Sequence, residues 1–339
     1  MKLTHYNTFE NMSGLQNPWN TLLSRSVSNS PFLRFEFMKN WWDHKGGGEW
    51  SDDSQLFVIA ANEGDQLIGI APFFVALKDG KKVVYNLGAI EICDILDVIA
   101  EENNHAEFVQ LAIEYLLAEH TDINDIRLFN LPSETKTAEW MRGIFAQKGF
   151  DAEISVYQPS PTIHLSTDFE TYLSGIDKKQ RHEIRRKMRR AEESGRGVRW
   201  FKVETEEQLK EAIVNFFQLM EADSEKALFL TPKMKMQMSS LMNMAFEQNY
   251  LHFAFLEADG KTAAAYLMFD YNNKLWVYNS GYDRNYNDLS VGWVLLGHLI
   301  EWSCINGRAE FDFMRGNEDY KFKFGAVDRP VLQLIATRN

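Results

Sequence analysis

The sequence predicts an α/β (α+β) protein built from two related units. Three observations lead to this prediction: a repeated order of elements, a break at Gln158-Pro159-Ser160-Pro161 between the repeats, and a composition suited to two buried cores. The chain has 339 residues, of which 45% are apolar, and this length is typical of two domains. We therefore expect an N-terminal unit over residues 1–160 and a C-terminal unit over residues 161–339.

Each half begins its repeat with a predicted β-hairpin. In the first half, apolar runs at 56–60 and 66–75 flank the turn Asn-Glu-Gly-Asp. In the second half, runs at 251–256 and 262–269 flank Glu-Ala-Asp-Gly. Runs of β-branched and aromatic residues around such a turn are typical of a hairpin.

The same elements follow each hairpin in both halves. A third strand comes first, and both copies end in Tyr-Asn-x-Gly. A helix comes next, with apolar residues at three- and four-residue spacing, and it leads into another short strand. The third strands are predicted at 82–88 and 274–281, the helices at 105–119 and 291–305, and the last strands at 126–131 and 309–314. The shared order indicates two copies of one fold.

Charge and cysteine content exclude several classes of protein. The chain has 36 basic and 48 acidic residues and a net charge of −12, which argues against a protein that coats nucleic acid over its whole surface. Cys93 and Cys304 are too few for a disulfide framework or a thiolate metal cluster. The N-terminus has no apolar signal core, and no apolar run is long enough for a membrane span. We expect a soluble cytoplasmic protein with no transmembrane segment.

Several catalytic motifs are missing from the sequence. It contains no Walker loop, no Gly-x-Gly-x-x-Gly and no Gly-x-Ser-x-Gly elbow. The eight histidines are scattered and form no His-x-x-x-His pair, so we expect no metal site. These absences argue against many kinases, dehydrogenases and hydrolases.

Helices with clear start signals are predicted at the beginning of the second unit. Thr167 and Thr205 each open a Thr-x-x-Glu/Gln capping box. Asp177 can cap a helix over 178–193, which Gly195 would stop.

The helix after Asp177 is strongly basic. Residues 177–199 hold ten Lys or Arg residues and four acidic residues, in a chain that is acidic overall. Arg181, Arg185 and Arg189 are spaced four residues apart and line one side of the helix. Guanidinium groups bind phosphate oxygens in pairs, so an anion site is one interpretation, and a solvated helix face is the other. The acidic remainder of the chain favours the anion site.

The segment 281–293 joins a predicted strand to a predicted helix. Free backbone N–H groups at a helix start, with a glycine that permits close approach, can hold a pyrophosphate. The alternative is an ordinary loop with Asp288 or Ser290 as N-cap. The matching loop of the first half, residues 101–104, is acidic and lacks glycine, so we expect a cofactor site only in the second unit.

Potential acid, base and cationic groups cluster in the segment 312–325. Asp312 lies at the end of a predicted strand, where α/β sheets place their ligand crevice. A buried carboxylate can act as a base, a tyrosine hydroxyl as an acid, and a basic side chain can offset negative charge. The alternative is a buried Asp312 that satisfies turn amides, with Tyr320 packed on the sheet, and composition alone slightly favours it.

These features together resemble the CelD/BcsL-type acyltransferases of the GNAT (acyl-CoA N-acyltransferase) superfamily. The resemblance covers nearly the whole chain, and the segment 312–325 is its most specific part. It also rests on Pro31-Phe32 with Trp41-Trp42, on Asp94-Ile95-Leu96-Asp97, on the Arg-rich helix, and on Asp312-Phe313-Met314-Arg315-Gly316 followed by Tyr320-Lys321. The architecture is similar to that of the Fem aminoacyl-transferases. The resemblance therefore implies tandem GNAT units, each a mixed, centrally splayed sheet flanked by helices.

The resemblance also implies a place for each substrate group. The pantetheine arm of an acyl-CoA would lie between the strands at 274–280 and 309–314, and its pyrophosphate would lie on the turn before the following helix. The implied donor-binding residues are Tyr278, Asn279, Gly281, Leu289, Ser290, Val291, Gly292 and Trp293. The implied residues for an anionic acceptor or a cofactor phosphate are Arg181, Arg185, Arg189, Arg315 and Lys321.

For the chemistry, the resemblance implies direct transfer in a ternary complex. Asp312 or Glu318 would take the proton of the attacking amine, and Tyr320 would protonate the departing thiolate. Backbone N–H groups near residues 279–281 would polarise the carbonyl. The donor would be acetyl-CoA or another acyl-CoA, and the acceptor would be an amine of a sugar-containing or cell-surface polysaccharide precursor.

Two alternatives stay open. The turn before the helix has one glycine, and Fem-like relatives use aminoacyl-tRNA, so the chain could be an aminoacyl-tRNA-dependent transferase. It could also be a non-catalytic ligand-binding or scaffold protein that keeps the fold. The sequence leaves the oligomeric state open.

Overall fold

The structure is a computed structural model that describes residues 1–338. It divides into two compact units. The first comprises residues 1–159 together with the segment from Arg329, and the second comprises residues 160–328.

The secondary structure elements are numbered in chain order. The strands are β1 (Lys2–Tyr6), β2 (Gln55–Glu63), β3 (Gln66–Lys78), β4 (Lys81–Asn86), β5 (Ile99–Ala100), β6 (Asp125–Pro132), β7 (Asp151–Gln158), β8 (Pro161–His164), β9 (Arg199–Lys202), β10 (Leu251–Ala258), β11 (Lys261–Tyr271), β12 (Lys274–Tyr282), β13 (Glu310–Asp312), β14 (Val327–Asp328) and β15 (Val331–Thr337). The helices are α1 (Gln16–Leu23), α2 (Phe35–Asp43), α3 (Lys45–Gly48), α4 (Glu102–Glu119), α5 (Thr137–Gln147), α6 (Phe169–Gly175), α7 (Lys178–Glu192), α8 (Glu206–Glu221), α9 (Ser224–Phe229), α10 (Pro232–Glu247), α11 (Val291–Ile305) and α12 (Asp319–Lys323). Short 3-10 helices cover Glu10–Leu15, Pro31–Leu33 and Arg284–Tyr286.

Each unit contains one mixed sheet flanked by helices. The first sheet has the order β1-β2-β3-β4-β6-β15-β7, with β5 paired to β3. The second sheet has the order β14-β8-β13-β12-β11-β10-β9. Within the described residues, each sheet has one parallel pair, β4–β6 in the first and β12–β13 in the second. Parallel neighbours need a long crossover, and α4 and α11 provide it.

The predicted repeat is confirmed. Both units contain a hairpin, a third strand, a helix and a parallel strand in the same order. The similarity extends one strand further, because β15 lies antiparallel beside β6 and β8 lies antiparallel beside β13.

The place of β15 differs from the sequence-based division of the chain. The sequence assigned all of residues 161–339 to the second unit, whereas β15 pairs with both β6 and β7 in the first sheet. β15 forms backbone hydrogen bonds along both of its edges, because it lies between β6 and β7. Its membership of the first sheet therefore depends on pairing with residues about 200 positions earlier in the chain. Local pattern contains no information about such a distant partner.

Two of the three predicted helix starts have the expected cap. Thr205 accepts a hydrogen bond from the N–H of Gln208, whose side chain completes the capping box. Asp177 accepts hydrogen bonds from the first turn of α7. The third expectation is wrong by one residue, because Asp168, not Thr167, is the N-cap of α6. The Asp168 carboxylate accepts two hydrogen bonds from Thr171, one from its N–H and one from its hydroxyl. Thr167 lies one residue too early in the chain to accept them.

The central helix of the second unit is apolar on nearly all sides. Leu295, Leu296, Leu299 and Ile300 of α11 are all fully buried, which explains a helix without a polar face. α11 has 15 residues, fewer than the about 20 that a membrane span needs. Across residues 1–338, no helix combines the length and apolar character required to cross a membrane.

The buried His252 makes the stability of the second unit depend on pH. His252 lies on β10 with its ring centroid 4.2 Å from that of Trp302, and its Nε2 has no hydrogen-bond partner among the described residues. Burial lowers the pKa of His252 to about 3 from the ordinary value of 6.5. The unfolded chain therefore binds this proton at a higher pH than the folded chain does.

We expect the free energy of unfolding to fall as the pH decreases from about 6.5 towards 3, by up to about 1.4 kcal/mol per pH unit from this one proton. The variant His252→Leu should flatten that slope, measured by urea unfolding between pH 7 and about pH 4.5. The control His182→Gln changes an exposed histidine on α7 that makes no ion pair within residues 1–338, and it should leave the slope unchanged. Equal slopes in the wild type and His252→Leu would contradict this assignment.

Candidate functional site

The two parallel strands of the second sheet separate after a short stretch of pairing. β12 and β13 pair only from Lys274–Glu310 to Trp276–Asp312. β13 ends there, and the chain turns at Met314, which has a φ of 60°. β12 continues to Tyr282, so its edge beyond Trp276 has no paired parallel strand, and this separation is the gap between β12 and β13. The centrally splayed sheet that the resemblance implies is therefore confirmed in this unit.

A β-bulge lies in the separated part of β12. Leu267 on β11 pairs with Asn279, and Met268 pairs with Val277, so Tyr278 is an extra residue on β12. Such a bulge bends the strand and changes the direction of its side chains and amides.

The backbone of Ser280, next to the bulge, already has partners. Its N–H donates to Oδ1 of Asn279 at 2.8 Å, and its carbonyl accepts from Nζ of Lys226. The sequence-based expectation was that N–H groups near residues 279–281 would face the carbonyl of the donor. The N–H of Ser280 is instead bonded to the neighbouring side chain.

Lys226 on α9 is a residue that sequence reasoning did not find. Its Nζ lies 3.3 Å from Oδ1 of Asn279 as well as contacting the Ser280 carbonyl. Burial lowers the pKa of Lys226, and the charges of Asp223 and Glu318 act in the opposite direction. No motif or periodicity surrounds this lysine, so nothing in the sequence distinguishes it from an exposed one.

Gly281 brings α8 and α9 close to the strand. A Cβ at this position would lie 2.9 Å from the carbonyl carbon of Leu219 and 3.0 Å from the nitrogen of Met220, both in the backbone of α8. Gly281, which the resemblance implies as a donor-binding residue, also lets α8 rest on β12. Because α8 leads directly to Asp223, the N-cap of α9, this contact also sets the position of Lys226.

Asp312 and Glu318, the two candidate bases, have different surroundings. Asp312 is 5% exposed, and its Oδ1 accepts the N–H of Met314 at 2.8 Å, as in the structural alternative. Glu318 lies just before α12, and its side chain is 54% exposed. Asp312 supports the turn, whereas Glu318 is accessible.

Glu318 lies close to two buried tyrosine hydroxyls. Burial raises the pKa of Tyr320, and the negative charge of Glu318 raises it further. The pKa of Tyr266 on β11 is also raised by burial, with contributions from Tyr320 and Glu318. Glu318 is therefore near enough for its charge to act on Tyr266, Tyr320 and Lys226.

Lys321 and Arg315 belong to the loop that carries Glu318. Lys321 is 3% exposed, and its Nζ donates to the Arg315 carbonyl at 2.8 Å and lies 2.9 Å from Glu318 Oε2. Gly316 has a φ of 125°, which favours glycine, and a Cβ there would also meet the Glu318 carboxylate of this ion pair. The ammonium that the resemblance implied for anion binding thus holds the loop, and the Arg315 side chain is half-buried beside it.

The turn before α11 leaves the helix start without a side-chain cap. Ser290 is at the N-cap position with a φ of 56°, and within the described residues no N–H of the first turn donates a hydrogen bond to its side chain. Asp288 instead pairs with Arg196 at 3.1 Å. Leu289 and Val291 are buried, and the nearest atom to a Cβ on Gly292 would be 3.7 Å away. Neither cap proposed for an ordinary loop forms here.

The three arginines of α7 that were expected to bind an anion, Arg181, Arg185 and Arg189, lie in two different places. Arg181 donates to the carbonyls of Leu173 and Ser174 at the end of α6, and Arg185 pairs with Glu170 on the same helix. These two arginines fasten α6. Arg189, with its neighbours Arg186 and Arg190, lines a depression of about 650 Å³ that reaches Asp288 and Leu289.

Lys187, another basic residue of α7, lies next to the start of α11. Nζ of Lys187 is 3.9 Å from the ring centroid of Trp293, whose Nε1 is buried without a partner in the described part of the chain. Burial lowers the pKa of Lys187, and the nearby Glu183 opposes this effect. Lys187 and Arg189 thus add positive charge near the uncapped helix start.

Residues 1–338 contain no group of three or more His, Cys, Asp or Glu side chains that could hold a metal ion.

A comparison with known protein families finds a match for most of the second unit. Residues 178–322, from α7 to α12, match a family described as "Acetyltransferase (GNAT) domain". The chain therefore carries the domain of a GNAT-type acyltransferase in its second unit. No curated protein matches the sequence.

Solved structures share the fold of the whole chain. FemX has a TM-score of 0.68 at 10% identity, over 98% of this chain and 97% of its own. A conserved protein of unknown function from Bacteroides thetaiotaomicron has a TM-score of 0.62 at 10% identity, over 99% of this chain and 100% of its own. The C-terminal domain of an Agrobacterium fabrum protein, described as a lysylphosphatidylglycerol synthetase, has a TM-score of 0.58 at 11% identity, over 95% of this chain and 91% of its own. At these identities the similarity shows the fold alone.

We expect Gly281→Ala to lower the free energy of unfolding by about 1–3 kcal/mol, because its Cβ would push against the backbone of α8. The matched control is Gly292→Ala, whose Cβ meets only ordinary contacts and should change stability by less than about 1 kcal/mol. Chemical unfolding of both variants measures the difference. Equal effects would contradict the assigned role of Gly281.

Proposed function

We propose that this chain is an N-acyltransferase that uses acetyl-CoA or another acyl-CoA as its donor. The observation that carries the proposal is the gap between β12 and β13 beside an α11 start that has no side-chain cap. Following the resemblance to CelD/BcsL-type enzymes, the acceptor is an amine on a sugar-containing or cell-surface polysaccharide precursor. The donor site belongs to the second unit alone.

The start of α11 suits the pyrophosphate of the donor. The amides of Val291, Gly292 and Trp293 are at the positive end of the helix dipole, where anions are stabilised. Lys187 and Arg189 supply further positive charge nearby. In the first unit, the corresponding helix α4 begins after Glu101 and has Glu102 in its first turn, and these carboxylates would repel a phosphate.

The gap beyond Trp276 suits the pantetheine arm. An extended chain with amide groups can lie along the separated edge of β12, past Tyr278 and Asn279. The thioester would then lie near Glu318 and Tyr320.

The transfer can be written with these two side chains. The amine nitrogen attacks the carbonyl carbon of the thioester, a C–N bond forms, and the carbonyl electron pair moves to oxygen. Glu318 takes the proton of the amine. The C–S bond then breaks with its electron pair on sulfur, and Tyr320 gives its proton to the thiolate. Transfer of the proton from Glu318 to Tyr320 restores both groups, so the products are an amide and free CoA thiol.

The surroundings of these groups match their proposed roles. Tyr320 is protonated at neutral pH, and because burial raises its pKa and disfavours the tyrosinate, Glu318 returns a proton to it as it protonates the sulfur. Glu318 is preferred to Asp312 as the base because the Glu318 side chain is 54% exposed, whereas Asp312 is 5% exposed.

The second candidate function is an aminoacyl-tRNA-dependent transfer of the Fem type. The observation that favours it is the FemX-like fold across 98% of the chain, together with the basic helix α7. RNA binding through α7 would fall steeply with salt, because it would depend on phosphate contacts. A non-catalytic protein with the same fold would bind neither donor and would show no turnover.

The donor assignment predicts saturable binding of acetyl-CoA and CoA in calorimetric titrations at two salt concentrations. Gly292→Asp should abolish this binding, because its carboxylate would face the pyrophosphate. The matched control is Gly143→Asp on α5, where an added Cβ meets no atom within 4 Å and affinity should not change. Unchanged affinity in Gly292→Asp would rule out the proposed phosphate turn, and a wild type that binds only tRNA would favour the second candidate.

The base assignment predicts that Glu318→Gln loses about 100-fold or more in kcat, since a general base contributes about 10²–10⁴-fold. Release of CoA thiol from acetyl-CoA with a panel of amino sugars measures the rate. Acetyl-CoA affinity should stay within about twofold, because a glutamine keeps a hydrogen bond to Lys321. Asp312→Asn should keep most of its activity, and the reverse ranking of the two variants would make Asp312 the base.

A further inference from the structure

The ammonium of Lys226 lies at the edge of β12 where the strand leaves its parallel partner. It contacts the carbonyl of Ser280 and the side-chain oxygen of Asn279, which lie directly after the extra residue Tyr278. Lys226 comes from α9, a helix outside the sheet. Its presence here depends on the close contact between Gly281 and the backbone of α8.

The hydrogen bonds around Ser280 leave the ammonium of Lys226 one further N–H to donate. The N–H of Ser280 is bonded to Asn279 Oδ1, so this amide is engaged before any substrate arrives. An ammonium has three N–H groups, and the contacts with Ser280 and Asn279 use two of them. The third can reach an acceptor that enters beside the bulge.

Lys226 lies within the electrostatic influence of Glu318, one of the two groups that take part in the proposed transfer. Glu318 is near enough for its charge to act on both Lys226 and Tyr320. In the proposed transfer, Glu318 takes the proton of the amine and Tyr320 protonates the sulfur. The carbonyl oxygen of the thioester, on which negative charge develops, still needs a donor, and a fixed cation in a partly buried site is well suited to this role.

We propose that Lys226 is a catalytic residue that donates a hydrogen bond from its ammonium to the carbonyl oxygen of the acyl donor. It stabilises the negative charge that forms on this oxygen when the amine attacks, and it neither gains nor loses a proton in the step. This inference rests on the proposed function, since it needs an acyl thioester in the gap.

The test compares two donors that differ only in the carbonyl group. Acetyl-CoA has the carbonyl, and S-ethyl-CoA has a methylene in its place. We expect Lys226→Met to weaken binding of acetyl-CoA about tenfold and to leave binding of S-ethyl-CoA within about twofold, in calorimetric titrations. Thiol release with the amino-sugar panel should fall about 10²–10³-fold.

Two further variants make the result specific. Lys233→Met removes an exposed lysine from the neighbouring helix α10 and should change neither affinity nor rate. Lys226→Gln keeps an N–H donor for the Ser280 carbonyl but has no charge. Lys226→Gln should bind S-ethyl-CoA normally and still lose most of the turnover. If thermal unfolding shows that Lys226→Met does not fold, the comparison of Lys226→Gln with the wild type takes its place as the test.

The outcomes separate this inference from the proposed function. Selective loss of acetyl-CoA binding together with loss of turnover supports a hydrogen bond to the carbonyl. Equal losses for both donors would mean that Lys226 only holds the strand, and no loss would mean that it has no role, so either result overturns the inference. A wild type that binds neither donor overturns the proposed function, and this inference with it.

Discussion

The candidate site depends on one constraint, the short pairing between β12 and β13. After Trp276 and Asp312 the strands separate, and backbone groups that would otherwise bond across the sheet need other partners. Ser280 obtains them from Asn279 and Lys226, and the turn at Met314 obtains one from Asp312. The gap and the polar side chains around it therefore have a single origin. A longer β13 would pair with this edge and leave no space for a substrate.

Small residues let the side chains of the site reach their positions. The missing Cβ of Gly281 allows the backbone of α8 to touch β12, which places α9 and its lysine at the strand edge. The missing Cβ of Gly316 leaves space for the ion pair between Glu318 and Lys321. The close packing of the β12 and α8 backbones thus affects where the charged side chains lie. A substitution at such a glycine can therefore change the reaction even though the glycine itself has no reacting group.

Sequence patterns predicted the local features of the fold and fewer of the features that depend on distant partners. Hydrophobic spacing and turn residues predicted both hairpins and the full extent of α11, because each depends on neighbours in the chain. The site segment was also recognised, since its acidic, aromatic and basic residues are contiguous. The partners of Arg185 and Lys226 were not predicted, because Glu170 and Ser280 come from other elements. Neither residue type nor spacing encodes which element will pack beside a given helix.

The position of β15 has a consequence for the order of folding during synthesis. Residues 151–158 and 125–132 are made long before residues 331–337, which pair with both. Until then the first sheet has two open strand edges, and unpaired edges are where nascent chains associate wrongly. The second unit, whose described strands all come from residues 160–328, can form its sheet earlier. The half of the molecule that leaves the ribosome first is therefore the half that matures last.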